Sequence, residues 1–212
     1  MSQENVEDPI VRAFRERYRD SGVWMSTTWL GTQVVKTPLD LWVYQEILSR
    51  TKPDVIIETG TWAGGSALYL ASICDLLGAG RVITIDIEER AGRPTHPRIT
   101  YVTGSSVDDE VVKRVRGRID AADTVMAILD SDHSKEHVLA ELRRYGPLVS
   151  DGCYLIVEDT GASLSNWAPV DPLAAVTQFL AENRAFTVDK ACEKFLLTAH
   201  PGGYLLKGLG AA

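Results

Sequence analysis

An α/β fold, with a mostly parallel sheet covered by helices and finished by a terminal antiparallel hairpin, follows from three features of this sequence. From Asp54 onwards, short β-branched runs alternate with stretches of helical period, as strands and crossover helices require. A glycine-rich turn joins the first run to the first helix of that series, within VIIETGTWAGGS at residues 55–66. Later runs end in acids, notably Asp86, Asp130 and Glu158. In a doubly wound sheet such strand ends face one ligand crevice.

The chain has 212 residues, a hydrophobic fraction of 45% and a net charge of -7, which suits one sizeable core in an ordinary globular protein. No Lys/Arg tract offers a footprint for nucleic acid or an anionic membrane, so neither is expected as a partner. The apolar runs are too short to span a bilayer and the polar start MSQENVEDP is unlike a signal sequence, so a cytoplasmic location is expected. Cys74, Cys153 and Cys192 are widely spaced and odd in number, which fits buried reduced thiols.

Residues 8–20 place Val11, Phe14 and Tyr18 at helical spacing among Arg and Glu, predicting an amphipathic helix that packs on something larger or serves an oligomer contact. Residues 23–35, VWMSTTWLGTQVV, have neither period and read as an ordered loop. Thr37 caps the next helix, Pro38 opens it, Asp40 reaches back to a free N–H, and the helix runs to about Arg50. Residues 1–50 thus form an N-terminal segment packing on a domain at 51–212.

Within that domain, a helix over 65–77 stops at Gly78-Ala79-Gly80, and strands are expected over 81–86 and 99–103. Ser106 is expected to cap a helix carrying Val107, Val111, Val112, Val115 and Ile119. A strand over 124–129 leads into Asp130-Ser131-Asp132-His133, and Ser134 starts a helix with Val138, Leu142 and Tyr145 on one face. A strand over 154–157 ends in Glu158-Asp159. A polar loop over 161–170 precedes a helix opened by Asp171-Pro172. The terminal hairpin is read from runs at 194–198 and 203–207, with His200 in the turn between them.

Glycines at 60, 64 and 65 let a ligand approach the backbone and meet the N–H groups of the new helix. The spacing Glu58-x-Gly60-x-x-x-Gly64-Gly65 is similar to motif I of class I S-adenosylmethionine methyltransferases and unlike the dehydrogenase fingerprint. Glu58, Gly60, Thr61, Gly64 and Ser66 are therefore candidate cofactor residues. Asp86 lies where a carboxylate would accept from two ribose hydroxyls, Ser105 follows the next strand near an expected adenine, and Asp130 closes the set.

Asp130, Asp132, His133, Glu158 and Asp159 would crowd one edge of the crevice. Carboxylates this close repel unless a cation compensates them, and hard oxygen donors favour Mg²⁺. Asp130 and Asp132 are alternatives for the first ligand, because residues spaced i, i+2 rarely both point inwards. His133 suits a general base on a substrate hydroxyl, while His137, a helical turn on, is expected to pack away. Trp29 and Trp167 are candidate walls of a substrate site.

The stretches KTPLDLWVYQEI from Lys36, IIETGTWAGGS, LDSDHSKEHVLAEL and GCYLIVEDT resemble the cephalosporin hydroxylase/rhamnosyl O-methyltransferase family over residues 29–207. They are also similar to metal-dependent sugar O-methyltransferases of macrolide pathways and, distantly, to catechol O-methyltransferase. The resemblance implies a Rossmann-like class I methyltransferase fold with a seven-stranded sheet, S-adenosylmethionine as methyl donor, and Mg²⁺ held by Asp130, Glu158 and Asp159 with His133 as base. It further implies a homo-oligomer acting on a small glycoside or phenol in antibiotic biosynthesis. Two rivals are an oxidative tailoring component and a non-catalytic nucleoside-binding partner. An iron oxygenase would want two histidines and a carboxylate, and here His133 alone is expected among the acids.

Overall fold

The computed structural model describes residues 8–161 and 171–209. Helix α1 (Pro9–Ser21) is capped by Asp8, whose carboxylate accepts from the Ile10 N–H at 2.7 Å, and it ends on left-handed Gly22. None of its side chains is buried; Phe14 and Tyr18 stack on each other on its surface. The stretch expected as a loop is more regular than its period suggested. Val23–Ser26 forms a 3₁₀ turn, and strands β1 (Thr28–Trp29) and β2 (Thr32–Gln33) make a small antiparallel hairpin. Strands this short carry no readable alternation, which is why sequence period misses them.

Helix α2 (Pro38–Thr51) starts as expected, with the Thr37 hydroxyl accepting from the Asp40 N–H at 3.1 Å. The Asp40 carboxylate does not cap the helix. It is 1% exposed and accepts from the Thr198 hydroxyl at 2.6 Å, the Ala199 N–H at 3.0 Å and the Tyr204 hydroxyl at 2.9 Å. It therefore ties the start of α2 to the end of the chain, a long-range role that local cap rules cannot see.

Next come β3 (Val55–Thr59), α3 (Gly65–Leu77), β4 (Arg81–Asp86), β5 (Ile99–Thr103), α4 (Asp109–Arg116), β6 (Val125–Leu129), α5 (Lys135–Tyr145), β7 (Tyr154–Val157), α6 (Pro172–Glu182), β8 (Phe186–Val188) and β9 (Tyr204–Lys207). The seven-stranded sheet has the order β5-β4-β3-β6-β7-β9-β8. β5 to β7 are parallel, and β9 runs antiparallel to both of its neighbours. β3, β6 and β7 are buried along their whole length, which explains why they read as unbroken apolar runs. Alternate residues face opposite layers: Val55 and Ile57 meet α4, α5 and α6, whereas Ile56 meets α2 and α3.

Two sequence expectations need correction. Asp108, not Ser106, caps α4, accepting from Glu110 and Val111 N–H groups, so the helix begins later. Ser106 Oγ instead lies 3.0 Å from His137 Nε2. The terminal hairpin pairs β8 with β9, and residues 194–198 form no strand. Lys194, Phe195 and Leu196 are exposed, Leu197 is buried and Thr198 donates to Asp40, so their β-like composition leads to no pairing. The expected loop over 161–170 lies outside the described residues after Gly161, and Trp167 with it.

No helix among the described residues is long and apolar enough to cross a membrane. All three cysteines are buried and free, as expected.

Two substitutions test this packing. A Cβ on Gly65 would lie 2.0 Å from the Gln33 carbonyl oxygen, so Gly65→Ala should push the β1–β2 hairpin off α3. The expected loss is about 1–3 kcal/mol in urea unfolding. Asp40→Ala removes the acceptor of four donors, from Thr37, Thr198, Ala199 and Tyr204, and should cost about 3–5 kcal/mol by the same measurement; a change within error would show that the tail holds without it.

Candidate active site

The loop after β3 is forced against β6. Gly60 has φ 83°, and a Cβ there would lie 1.8 Å from the Asp130 carbonyl oxygen, so only glycine lets the two loops touch. Gly64, also left-handed, opens α3 with no side-chain cap, which leaves the helix N–H groups free for a ligand. Beside this turn lies a crevice of about 520 Å³, lined by Gly60, Trp62, Asp86, Ser105, Asp130 and His137 among others.

The sequence-predicted cofactor residues divide into three groups. Gly60, Asp86, Ser105 and Asp130 line the crevice. Thr61 and Ser66 border a smaller hollow of about 30 Å³ together with Lys36. Glu58 and Gly64 line neither space. The Thr61 hydroxyl pairs with Thr84 at 2.7 Å, and Thr84 donates to Glu58 Oε2 at 2.6 Å, so these groups support the loop from beneath. Burial raises the Glu58 carboxyl above its usual range, opposed by Lys36 and by hydrogen bonds from Ser66 and Thr84, and its Oε1 has no partner among the described residues.

Asp86 reaches the crevice, yet its oxygens are already engaged. Oδ2 accepts from the Trp62 N–H at 2.9 Å, the Thr61 N–H at 3.2 Å and Arg93 at 2.7 Å, while Oδ1 accepts from the Glu88 N–H at 2.9 Å. Any ribose contact therefore falls to Oδ1 or displaces Arg93. His137 does not pack away as expected. It borders the crevice and lies 3.6 Å from the buried Glu141, whose hydrogen bond raises its pKa.

Beyond the crevice the parallel strands bring three donors together. Asp130 follows β6 and Asp159 follows β7; His133 stands between them, its Nε2 3.7 Å from Asp130 Oδ1 and 3.6 Å from Asp159 Oδ2. One donor atom from each of the three lies within 4.8 Å of the others, a spacing that fits a divalent cation. Asp132 is outside this set; its carboxylate accepts from the N–H of Ser134, the residue before α5, at 2.8 Å, and it borders the crevice. Of the two alternatives, Asp130 is the one in the donor set.

Glu158 is not brought into the set either. It is 3% exposed and its Oε1 accepts from Lys36 Nζ and from the Tyr44 hydroxyl, the latter at 2.7 Å. Burial alone would raise its pKa, but Lys36 and His200 outweigh this and lower it. Lys36 Nζ also donates to Asp130 Oδ2 at 2.7 Å. Burial and the nearby Glu158 together push the Asp130 carboxyl up to about 7, against the pull of Lys36. For Lys36 itself, burial favours the neutral amine, but Asp130, Glu158 and Glu58 reverse that and raise its pKa.

Lys36 and His200 are what sequence reading missed. Lys36 had a signal, a lone cation in VVKTP next to a helix cap, which was read only for its helix start. His200 begins a turn, as expected, its carbonyl accepting from the Gly203 N–H at 2.8 Å, but its side chain is not at the surface. It is 1% exposed, its Nδ1 accepts from the Asp159 N–H at 3.1 Å, and its Nε2 lies 3.3 Å from the Tyr44 hydroxyl. That bond supports Asp159 at φ 54°, a left-handed conformation uncommon outside glycine and easier for Asp than for most. A second histidine thus stands behind the acids, but the donor set contains only His133.

Of the expected substrate walls, Trp29 does not face the acids. Its indole N–H donates to Ser72 Oγ at 3.1 Å, its ring packs edge-on against Tyr69, and it lines a separate groove over α2 and α3. Trp24 lies closer, sharing a hollow of about 40 Å³ with Lys36, Glu158 and Asp159.

Comparison with known proteins follows this geometry. Rhamnosyl O-methyltransferase of Mycobacterium tuberculosis (strain ATCC 25618 / H37Rv) is 36% identical over 211 residues, covering 94% of this chain and 86% of that protein. The Mycobacterium leprae (strain TN) rhamnosyl O-methyltransferase is 36% identical over 169 residues, with 78% and 72% coverage. Among solved structures, CmcI with Mg and SAM superposes with a TM-score of 0.66 at 20% identity, covering 87% of this chain and 78% of CmcI. MycE from the mycinamycin biosynthetic pathway, in complex with Mg, SAH and mycinamycin VI, gives 0.57 at 18% identity, covering 81% of this chain and 50% of MycE. These likenesses support the expected fold. Residues 21–208 match the model described as Rhamnosyl O-methyltransferase/CmcI, and this chain belongs to that family.

Proposed function

We propose that this chain transfers a methyl group from S-adenosylmethionine to a sugar hydroxyl of a small glycoside, with the help of Mg²⁺. The observation that carries the reading is the convergence of Asp130, His133 and Asp159 beside the glycine-turn crevice. Relatives named rhamnosyl O-methyltransferase supply the reaction class and the sugar, and the titles of the CmcI and MycE structures supply the Mg, SAM and SAH.

The methyl donor would lie over Gly60, with its nucleoside towards Asp86 and Ser105 and its sulfonium towards Asp130. Asp130 and Asp159 would hold the metal together with Glu158, whose other partners are Lys36 and Tyr44. When bound, the cation supplies Lewis acidity that lowers the pKa of the acceptor hydroxyl and fixes it in line with the methyl. His133 takes the hydroxyl proton. The new O–C bond forms as the S–C bond breaks, leaving the neutral thioether. Charge disperses along this path, so the walls of the site chiefly position the partners and exclude water.

Trp24 borders the acids and is the aromatic best placed to meet an acceptor; Trp167, outside the described residues, keeps its expected role. One histidine in the donor set favours this reading over an iron oxygenase. A homo-oligomer would associate through α1 and the turn after it, where Ile10, Phe14 and Met25 are exposed. Work in the cytoplasm, within a natural-product or antibiotic pathway, completes the proposal.

Calorimetry should detect S-adenosylmethionine binding with and without Mg²⁺; absence of binding in both conditions removes the methyltransferase reading. His133→Ala should lower kcat by about 10²–10⁴ and leave cofactor affinity intact. Asp159→Asn keeps a residue that tolerates the left-handed backbone and should abolish the Mg²⁺ dependence of turnover. Across a panel of rhamnosides, other deoxyglycosides and phenols, mass spectrometry should show a gain of one methyl on a glycoside. Preferential methylation of a phenol would overturn the sugar assignment.

A further inference from the structure

The crevice wall formed by the loops after β5 and β6 and by α5 carries a polar cluster that the chemistry described above does not use. His137 Nε2 lies 3.0 Å from Ser106 Oγ and 3.6 Å from Glu141 Oε1. Glu141 is fully buried; the same Oε1 accepts from the Ser131 hydroxyl at 2.7 Å, and its Oε2 has no partner among the described residues. Ser106 is buried too, its carbonyl accepting from the Tyr145 hydroxyl at 2.7 Å. Serine and carboxylate face one and the same ring nitrogen, so the cluster is not a nucleophile–base–acid relay, which needs them on opposite nitrogens. It fixes the ring instead. A buried carboxylate beside Nε2 keeps the proton on that nitrogen, and the neutral ring then presents Nδ1 as an acceptor. Nδ1 has no hydrogen-bond partner among the described residues, and His137 borders the crevice.

We propose that His137 reads the exocyclic amino group of the methyl donor's adenine through Nδ1, with Ser106 and Glu141 setting its tautomer. The proposal rests on the S-adenosylmethionine reading given above. Other acceptors on this wall are less available: Asp132 is exposed and already accepts from the Ser134 N–H, and the hydroxyls of Ser131 and Ser106 are committed to Glu141 and His137. An amino group donates and a keto oxygen accepts, so a neutral His137 selects adenine over hypoxanthine. Protonation turns Nδ1 into a donor and works against that choice. Glu141 raises the pKa of His137 against the effect of burial, with Asp132 from the loop after β6 adding to the rise and Arg144 on α5 opposing it. The imidazolium therefore persists to higher pH than in an ordinary histidine, and selection of the base weakens as pH falls through neutrality.

The test is calorimetric binding of S-adenosylhomocysteine and S-inosylhomocysteine, which differ in that amino group, to the full chain at pH about 8 and about 5.5. At the higher pH the wild type should bind the adenine compound at least about tenfold more tightly, and at the lower pH this ratio should shrink by about threefold or more. Comparing two bases at one pH cancels the titration of Asp130 and other acids that face only what the two compounds share. His137→Phe removes both ring nitrogens, and His137→Gln replaces them with an amide that does not titrate. Each should make the ratio independent of pH, and His137→Phe should also bring it near unity; if that variant does not fold, His137→Gln decides alone. A ratio that keeps its wild-type value and pH dependence in the variants overturns the proposal, even where both compounds bind more weakly, because a merely structural histidine would act in that way. A wild-type ratio that does not change with pH overturns it as well. Binding of neither compound by the wild type removes the methyl-donor reading and the proposal with it, whereas equal binding of both removes only the role of His137.

Discussion

Carboxylates at the ends of adjacent parallel strands cannot be left uncompensated, and the contact of Lys36 with Asp130 and Glu158 is how this fold meets that constraint. The sheet order places β6 and β7 side by side, so the acids that follow them must approach one another. Burying such charges without partners is costly. Around the ammonium, Tyr44 donates to Glu158, His200 accepts from the Asp159 N–H, and Asp40 anchors the tail that carries His200. The surroundings of the site are thus a polar network reaching from α2 to β9, and its open side is left to the crevice.

This arrangement separates support from chemistry. Glu58, Thr61 and Thr84 form a chain of hydrogen bonds under the glycine turn, and the residues facing the crevice are mostly small or have engaged side chains. Gly60 and Asp130 touch through backbone, so the nucleoside side and the acid side of the site are fixed relative to each other by steric contact. A donor and an acceptor held in one geometry need little more from the protein than alignment and dryness.

Much of this was legible in the sequence because it is local. The strands β3, β4 and β6 announce themselves by β-branched runs, the glycine turn by its spacing, and the α2 start by Thr37-Pro38. What was not legible depends on residues far apart in the chain. Lys36 meets Glu158 across 122 positions, and Asp40 meets Tyr204 across 164. His200 reads as a turn residue and does open one, but only the antiparallel return of β9 brings its ring under the acids. Strand composition likewise misled at residues 194–198, where Phe195 and Leu196 are exposed and Leu197 packs inwards without joining the sheet.

The position of β9 bears on how the molecule comes into being during synthesis. It is the last strand in chain order, yet it lies between β7 and β8 and delivers the histidine on which the Asp159 backbone rests. A nascent polypeptide still on the ribosome can pair β3 with β4 and β6, but its acidic pocket lacks the group that orients it until β9 has emerged and inserted.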